Sequence, residues 1–444
     1  MFSHLRILRK TLAIPVSNGV ESSHLKSYLY IAFFSTCVMA FINFVMPYLL
    51  TEFLQVPKEM QGSVTGNQVF WNEVVIIATI GGIGILSDKL GRSVIYTLGF
   101  TVVGIAYLLF PLVSNVTELT WVRCFFAFGA ACITAMLATV MGDYPTNEAR
   151  GKIAAFAGVL TGLGILMMVT ILSKLPAWFQ AFTVNAKEAG SWSFIVISII
   201  CFHAAIVAFI GLKPGATENA NSTSFKDLAK QGIKAARKPG ILVAYLSSFV
   251  SRGDLAIVGT FLSLWVVQDG ISHGMETPKA LAYAGMIFGI SQTAALFWGP
   301  VMGILCDRFD RMLCVVIALF LAALGYCSIG LVTDTTSAGM IVACILVGIG
   351  EISGVIASQS LIGQEAPEKS RGSVVGVFGF AGAIGILIAT KTGGYLFDAV
   401  RPSAPFVAMG VVNGMICAYA LYVYLRGRKK SMRSDQLGSL ATVK

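Results

Sequence analysis

Twelve stretches of about 20 apolar residues recur along the chain, and each is long enough to cross the ~30 Å hydrocarbon core of a bilayer. Such runs suit helices, because a backbone in lipid must satisfy its hydrogen bonds within each segment or in a closed barrel. Strands of a membrane barrel would instead alternate in polarity over roughly ten residues. The sequence therefore predicts an all-α membrane protein whose spans 1 to 12 cover residues 28–54, 66–86, 93–113, 120–142, 153–176, 191–212, 241–266, 280–305, 312–332, 340–362, 374–396 and 404–425.

The charges support this prediction. Charged residues make up 12% of the 444, whereas soluble domains carry roughly 25%. With the N-terminus in the cytoplasm, the external loops hold five of the 32 Lys and Arg residues, the spans hold three, and 24 lie on the cytoplasmic side. This asymmetry is the positive-inside rule. The net charge of +10 therefore indicates topology, with both termini cytoplasmic, and not a nucleic-acid partner.

The sequence shows no strong sign of disulfide bonds or of a cleaved targeting peptide. All nine cysteines fall in or at the ends of predicted spans, so no external disulfide framework is expected. Pro15 and Gly19 interrupt the short apolar stretch near the N-terminus, which argues against a cleaved signal peptide. An organelle transit peptide is an alternative, but the short external loops favour the plasma (inner) membrane of a bacterium.

Two halves of the chain repeat the same pattern. The segment from Gly84 to Arg92 after span 2 recurs from Gly303 to Arg311 after span 8, at an offset of 219. Four further matches share an offset of 221: Arg150-Gly151 with Arg371-Gly372, Gly129 with Gly350, Gly158 with Gly379, and Gly164 with Gly385. Since six spans separate the copies, both halves enter the membrane in the same orientation, as parallel repeats.

These repeats predict five regions. The six-helix bundles cover residues 28–212 and 241–425, and a cytoplasmic linker covers 213–240. A cytoplasmic segment, 1–27, precedes them, and a basic tail, 426–444, follows them. Within the linker, Ser224 and Asp227 resemble a helix N-cap pair, and apolar and basic residues then segregate to different helical faces. We expect a short amphipathic helix at the anionic cytoplasmic surface.

The repeated loop resembles the signature of the major facilitator superfamily, G-x-L-x-D-[RK]-x-G-R, and the resemblance extends over essentially the whole chain. The first copy meets the pattern at Gly84, Leu86, Asp88, Lys89, Gly91 and Arg92. The second copy has Gly303, Asp307, Arg308 and Arg311, but Asp310 stands where the pattern has glycine. Arg123, 27 residues before Arg150, fits the family's helix 4 pattern, which departs at Ala127. Span 5 has Leu163 where the family's antiporter motif has proline.

The resemblance implies a fold of twelve helices in two halves that rock about a central cavity. It implies a cytoplasmic gating motif in which Asp88 approaches the N-terminus of span 11 near Ser373, where a helix dipole favours an anion. Arg92 would pair with Asp143 at the end of span 4. Arg150 and Arg371 belong to the same motif. Ordinary loop charges are the alternative interpretation of these residues.

Three acidic residues fall inside spans, where an unpaired charge is costly. Glu351 in span 10 lies roughly 16 Å from the outer end, and Asp254 in span 7 roughly 20 Å from the inner end. Glu73 in span 2 lies about 12 Å from the outer end. All three are candidates for proton coupling, since transporter sites are expected near the midplane. Static pairing with Arg252 or another basic group is the alternative.

The order Arg252-Gly253-Asp254 poses a geometric problem, because side chains two residues apart on a regular helix diverge by about 200°. Either the helix opens at Gly253, which we prefer, or Arg252 faces a neighbouring helix. Six residues are candidates to line a substrate cavity: Arg123, Arg252, Asn43, Gln359, Gln292 and Trp265. Arg123 could instead reach the outer surface by snorkelling, and Trp265 could belong to an interfacial belt.

The sequence thus predicts a secondary active transporter rather than an enzyme, since no Walker loop, metal-ligand cluster or nucleophile elbow is present. We expect a monomer in a lipid bilayer that moves a small organic solute by alternating access. No cofactor is expected, and a proton gradient would supply the energy. Proton-coupled export is the first choice, because acids on helices 7 and 10 resemble the arrangement in some proton-driven exporters of the family. Proton-coupled uptake of an anionic solute and a non-transporting membrane sensor are the alternatives.

Overall fold

A computed structural model describes residues 15–441 apart from Asn18, Asn147 and 215–224. The described part is almost entirely helical, and twelve of its helices are long and apolar enough to cross a membrane. The predicted fold class is therefore confirmed. In chain order, these helices, α1 to α12, are Ser22–Phe53, Lys58–Leu90, Arg92–Leu112, Val116–Asp143, Gly151–Phe179, Ala186–Gly211, Pro239–Ser272, Thr277–Arg308, Arg311–Ile329, Ala338–Glu365, Arg371–Ala399 and Ala404–Arg428.

Short polar residues define where several helices begin. Asn115 accepts a hydrogen bond from the backbone N–H of Glu118 at 2.9 Å, and Asn185 does the same for Glu188 at 2.9 Å. Each asparagine satisfies one of the free N–H groups in the first turn of α4 or α6. These caps explain how short loops can separate long apolar helices.

Among the described residues, two helices contain a π-helical turn, at Leu49–Phe53 in α1 and at Val258–Leu262 in α7. The preferred opening of α7 at Gly253 is wrong, because the helix is regular from Pro239 to Ile257. Asp254 is buried, whereas Arg252 is exposed and its aliphatic stem packs on Gly382 of α11. Asp254 and Arg252 thus lie on different faces of an intact helix, as the alternative interpretation required.

Two compact units make up the chain. The first comprises Met1–Pro57, Gln68–Asn221 and Gly270–Met286, and the second comprises Lys58–Asn67, Ser222–Asp269 and Ile287–Lys444. Each unit has a close helix crossing at a glycine. A Cβ on Gly164 of α5 would overlap the carbonyl oxygen of Phe33 in α1, and a Cβ on Gly385 of α11 would overlap that of Phe249 in α7.

Gly164 and Gly385 are one of the pairs related by the 221-residue offset. The same backbone contact, between the first and fifth helices of a repeat, therefore occurs in both units. The repeated glycines therefore correspond to equivalent helix contacts in the two units.

The linker contains a helix at Phe225–Ala235, here called the linker helix. Ser224 lies outside the described residues, so the structure does not test the proposed cap. Within the second unit, Gly232 packs closely on Ser373 in the first turn of α11, and Tyr245 donates a hydrogen bond to the Gly232 carbonyl at 2.9 Å. Ile233 is exposed, as are two lysines of the helix. The role at the membrane surface stays a prediction.

Candidate functional site

The signature loop between α2 and α3 is held together by one arginine. Arg92 lies 2.7 Å from Asp88 Oδ1 and 3.1 Å from Asp143 Oδ2, and it also donates to Ser87 Oγ. The predicted pairing of Arg92 with Asp143 is confirmed. Gly91 has φ +96° and ψ 151°, a conformation essentially restricted to glycine. The Arg92 contacts therefore fix the end of α2, the start of α3 and the end of α4 in the first unit.

The second copy of the loop is built differently. Asp310 has φ −55° and accepts a hydrogen bond from the backbone N–H of Leu313 at 3.1 Å, so it caps α9. This geometry explains why the sequence departs from glycine there, because no positive φ is needed. Arg311 donates to the carbonyl of Ser360 at 3.4 Å, while Asp307 and Arg308 are exposed.

The remaining gating residues have ordinary surroundings. Lys89 is exposed, Gly84 and Gly303 are half-buried, and Arg371 donates to the carbonyl of Gly363 at 3.2 Å. The side chain of Arg150 lies outside the described part of the structure. The expected approach of Asp88 to Ser373 joins the two units and stays a prediction.

The second unit contains a buried acidic site. Asp254 of α7 is 1% exposed, and both of its carboxylate oxygens accept hydrogen bonds from Asn413 Nδ2 of α12 at 3.0 Å. Glu351 of α10 is 4% exposed, and its Oε2 has no hydrogen-bond partner among the described residues. Its carboxylate lies within hydrogen-bonding reach of the Gln292 amide of α8. No arginine or lysine forms an ion pair with either acid in the described part of the chain.

The two acids lie at a similar depth. A Cβ on Gly354 of α10 would be 2.6 Å from Ser251 Oγ of α7, so these residues meet where the helices cross. Consecutive spanning helices alternate in direction, so α7 and α10 are antiparallel. Asp254 is three residues after Ser251, and Glu351 is three residues before Gly354. Because the helices are antiparallel, both acids therefore lie about one turn from the crossing, on the same side of it. Their carboxylates also lie within electrostatic range of each other.

Tyr326 of α9 completes the site and was missed by the sequence analysis. Its hydroxyl is fully buried, has no hydrogen-bond partner among the described residues, and lies within electrostatic range of both acids. Tyr326 is 219 residues after Tyr107, the offset of the signature loops. Asn413 was missed as well, although it is the one amide side chain in α12 up to Arg428. Both signals were present in the sequence.

The first unit contains a buried base instead. Arg123 of α4 is 1% exposed and donates one hydrogen bond to Asn43 Oδ1 of α1. Its guanidinium lies 5.1 Å from the ring centre of Phe126, and its Nε and Nη1 lack partners among the described residues. Burial excludes the snorkelling alternative. Tyr107 lies within electrostatic range of Arg123, so the two repeat-related tyrosines adjoin sites of opposite charge.

The remaining candidates differ in their surroundings. Trp265 is 6% exposed and packs beside Phe406 at 6.1 Å between ring centres, so the interfacial-belt alternative for Trp265 is wrong. Gln359 is exposed although Glu351 is buried, and Glu73 is half-buried in α2. Asp254, Glu351, Gln292, Asn43 and Arg123 therefore remain predicted coupling or cavity residues, and the structure adds how they are grouped.

Comparisons with known proteins agree with this architecture. The profile of the Major Facilitator Superfamily matches residues 28–390. Magnetosome protein MamH of Paramagnetospirillum magneticum is 27% identical over 418 residues, which are 91% of this chain and 92% of that protein. Magnetosome protein MamZ of the same organism is 25% identical over 86% of this chain, but the match spans 60% of MamZ. A crystal structure of the nucleoside transporter NupG (D323A mutant) superposes with a TM-score of 0.73 at 13% identity, covering 90% of this chain and 99% of that chain.

The chain belongs to the Major Facilitator Superfamily. The likeness to NupG shows the fold alone at this identity. Family membership makes the protein a multi-pass membrane transporter of small molecules and not an enzyme.

Proposed function

We propose that the protein is a proton-coupled secondary transporter of a small organic solute that works by alternating access. The single observation that carries the coupling is the pair of buried acids, Asp254 and Glu351, without a basic partner in the described part of the second unit. Two buried negative charges in a membrane are too costly to persist unneutralised. A proton that binds when one conformation exposes the site removes that cost and favours the conformation that buries it.

The surrounding residues support two different charge states of the acids. Asn413 donates to Asp254 and stabilises the ionised carboxylate. The unpartnered Oε2 of Glu351 instead suits a carboxylic acid, which needs fewer acceptor contacts. The pair can therefore hold and release protons during a cycle without a second basic group.

We propose export, with protons moving in the opposite sense to the solute, because acids on helices 7 and 10 resemble the arrangement in some proton-driven exporters of the family. Uptake of an anionic solute together with protons is the second candidate, and the unpaired guanidinium of Arg123 favours it. The protein would act as a monomer in the bacterial inner membrane with both termini in the cytoplasm. The proton gradient would be its energy source, without a bound cofactor.

The test is flux through the purified full-length protein in proteoliposomes. A pH-sensitive dye inside the vesicles reports proton movement while a panel of organic solutes is applied with and without a pH gradient. Opposite proton and solute movement supports export by antiport, and parallel movement supports uptake. Flux of any solute rejects the non-transporting sensor.

Variants test the coupling residues. Glu351→Gln and Asp254→Asn should each abolish gradient-driven accumulation but leave solute counterflow measurable, since exchange does not require a net proton cycle. Glu59→Gln, an exposed carboxylate outside the site, is the matched control and should behave as the unaltered protein. Full gradient-driven accumulation in the Glu351→Gln, Asp254→Asn double variant would disprove the coupling proposal.

A further inference from the structure

The guanidinium of Arg123 lies in an environment that does not neutralise it. It is 1% exposed, and the described residues offer it one amide oxygen, from Asn43, and the face of Phe126. Neither contact carries a negative charge. Arginine stays protonated in proteins and has five N–H donors, so a buried arginine normally has an anion beside it.

Two donor atoms are left over at Arg123. Its Nε and Nη1 have no hydrogen-bond partner among the described residues. Unpartnered buried donors are rare in folded proteins, and a ligand is one of the few explanations for them. Asn43 occupies the remaining terminal nitrogen and fixes the orientation of the planar group from α1.

We infer that Arg123 and Asn43 form the binding site for the negative group of the transported solute, and that this solute is an organic monoanion with a carboxylate. One guanidinium balances one charge, which favours a carboxylate over a doubly charged phosphate ester. The guanidinium lies 5.1 Å from the ring centre of Phe126 and within electrostatic range of Tyr107, so its surroundings are largely aromatic. The inference rests on the proposed transport function but not on proton coupling.

Arg252, the other candidate arginine, is exposed on α7 and its stem packs along Gly382, so the protein does not enclose its guanidinium as it encloses that of Arg123. Arg401, an exposed arginine between α11 and α12, provides a control in which the same charge is removed outside the proposed site.

The test measures equilibrium binding to the purified full-length protein in detergent, where no gradient is needed. The probes are matched pairs of a carboxylate and its neutral amide, such as benzoate with benzamide and butyrate with butyramide, with phenyl phosphate as a third arm. Binding is read as the shift of the unfolding temperature with ligand concentration. We expect at least one carboxylate to bind roughly 10- to 100-fold more tightly than its amide, the range for hydrogen bonds to a charged group.

Arg123→Gln should abolish this discrimination, Arg123→Lys should retain part of it, and Arg401→Gln should keep all of it. Without ligand, Arg123→Gln should unfold at the same or a higher temperature, because it removes an unneutralised buried charge. A lower unfolding temperature with unchanged discrimination would show that Arg123 only joins α1 to α4, and would overturn the inference.

Equal binding of every carboxylate and its amide, or preference for phenyl phosphate, would also overturn it. Failure of proton coupling leaves these binding results unchanged, so the two proposals can fail separately.

Discussion

Replacing Gly385 by alanine tests the close crossing of α7 and α11. The new methyl group would overlap the carbonyl oxygen of Phe249 and lie 2.8 Å from its carbonyl carbon. A backbone carbonyl cannot rotate aside as a side chain can, so the helices must separate. Overpacking of this kind costs about 1–3 kcal/mol. Gly253 of α7 is the matched site, because its Cβ would meet the mobile end of Met409 at 2.9 Å and Ala389 Cβ at 3.3 Å.

Both alanine substitutions gain the same helix preference of roughly 0.8–1.0 kcal/mol over glycine. That gain cancels when the variants are compared with each other, and the methionine can adapt. The difference in stability should therefore be about 1–3 kcal/mol in favour of Gly253→Ala. For a unit of this size it corresponds to roughly 2–12 °C in unfolding temperature.

The assay is thermal unfolding of both purified variants in the same detergent, followed by tryptophan fluorescence. Transport by Gly253→Ala should remain close to that of the unaltered protein. Equal destabilisation by the two substitutions would refute the packing argument. A stable but inactive Gly253→Ala variant would restore the hypothesis that α7 must open at this glycine.

Three further predictions concern the two copies of the signature loop, the contact of Asn413 with Asp254, and the hydroxyl of Tyr326. Gly91→Ala should cost about 1–3 kcal/mol because of its positive φ, whereas Asp310→Gly should cost only about a few tenths of a kcal/mol, because glycine is itself an acceptable N-cap. Equal thermal shifts with no effect of Gly91→Ala on function would contradict the assigned strain. A double-mutant cycle of Asn413→Leu with Asp254→Asn should give a coupling energy of ~1.5–3 kcal/mol at high pH, where the acid is ionised, and nearer ~1 kcal/mol at low pH; no pH dependence would mean that Asp254 keeps one charge state. Tyr326→Phe should leave the unfolding temperature unchanged, since no hydrogen bond is lost, but slow gradient-driven flux; a clear loss of stability would reveal a partner for the hydroxyl.

The twelve spans could be predicted because an apolar run of sufficient length has few alternatives in a bilayer. The pairing of Arg92 with Asp143 came from the family resemblance, since no local rule joins residues 51 positions apart. Depth along a helix could also be estimated, and it made Asp254 and Glu351 candidates for proton coupling, a role that stays a prediction. These estimates depend on length and register, which the sequence contains directly.

Which polar side chains contact one another within a bundle could not be predicted from the sequence in the same way. A lone amide such as Asn413 resembles any core residue with a satisfied hydrogen bond, and its contact with Asp254 depends on which face of α12 meets α7. The expected opening at Gly253 assumed that both neighbouring charges face one cavity. The packing of Met409 and Ala389 against that glycine, together with the exposure of Arg252, removes the need for it.

The glycine crossings restrict how each bundle can deform. At Gly164 against Phe33, and at Gly385 against Phe249, backbone meets backbone without an intervening layer of side chains. Shear motions are small slides between packed helices, and we expect little sliding at these two crossings, because no side chain separates the backbones there. The pair α1 and α5, and the pair α7 and α11, should each move as one rigid body during the transport cycle. Bending within a helix should then occur where its backbone hydrogen bonding is irregular. In α1 and α7 we expect the hinges at the π-helical turns Leu49–Phe53 and Val258–Leu262.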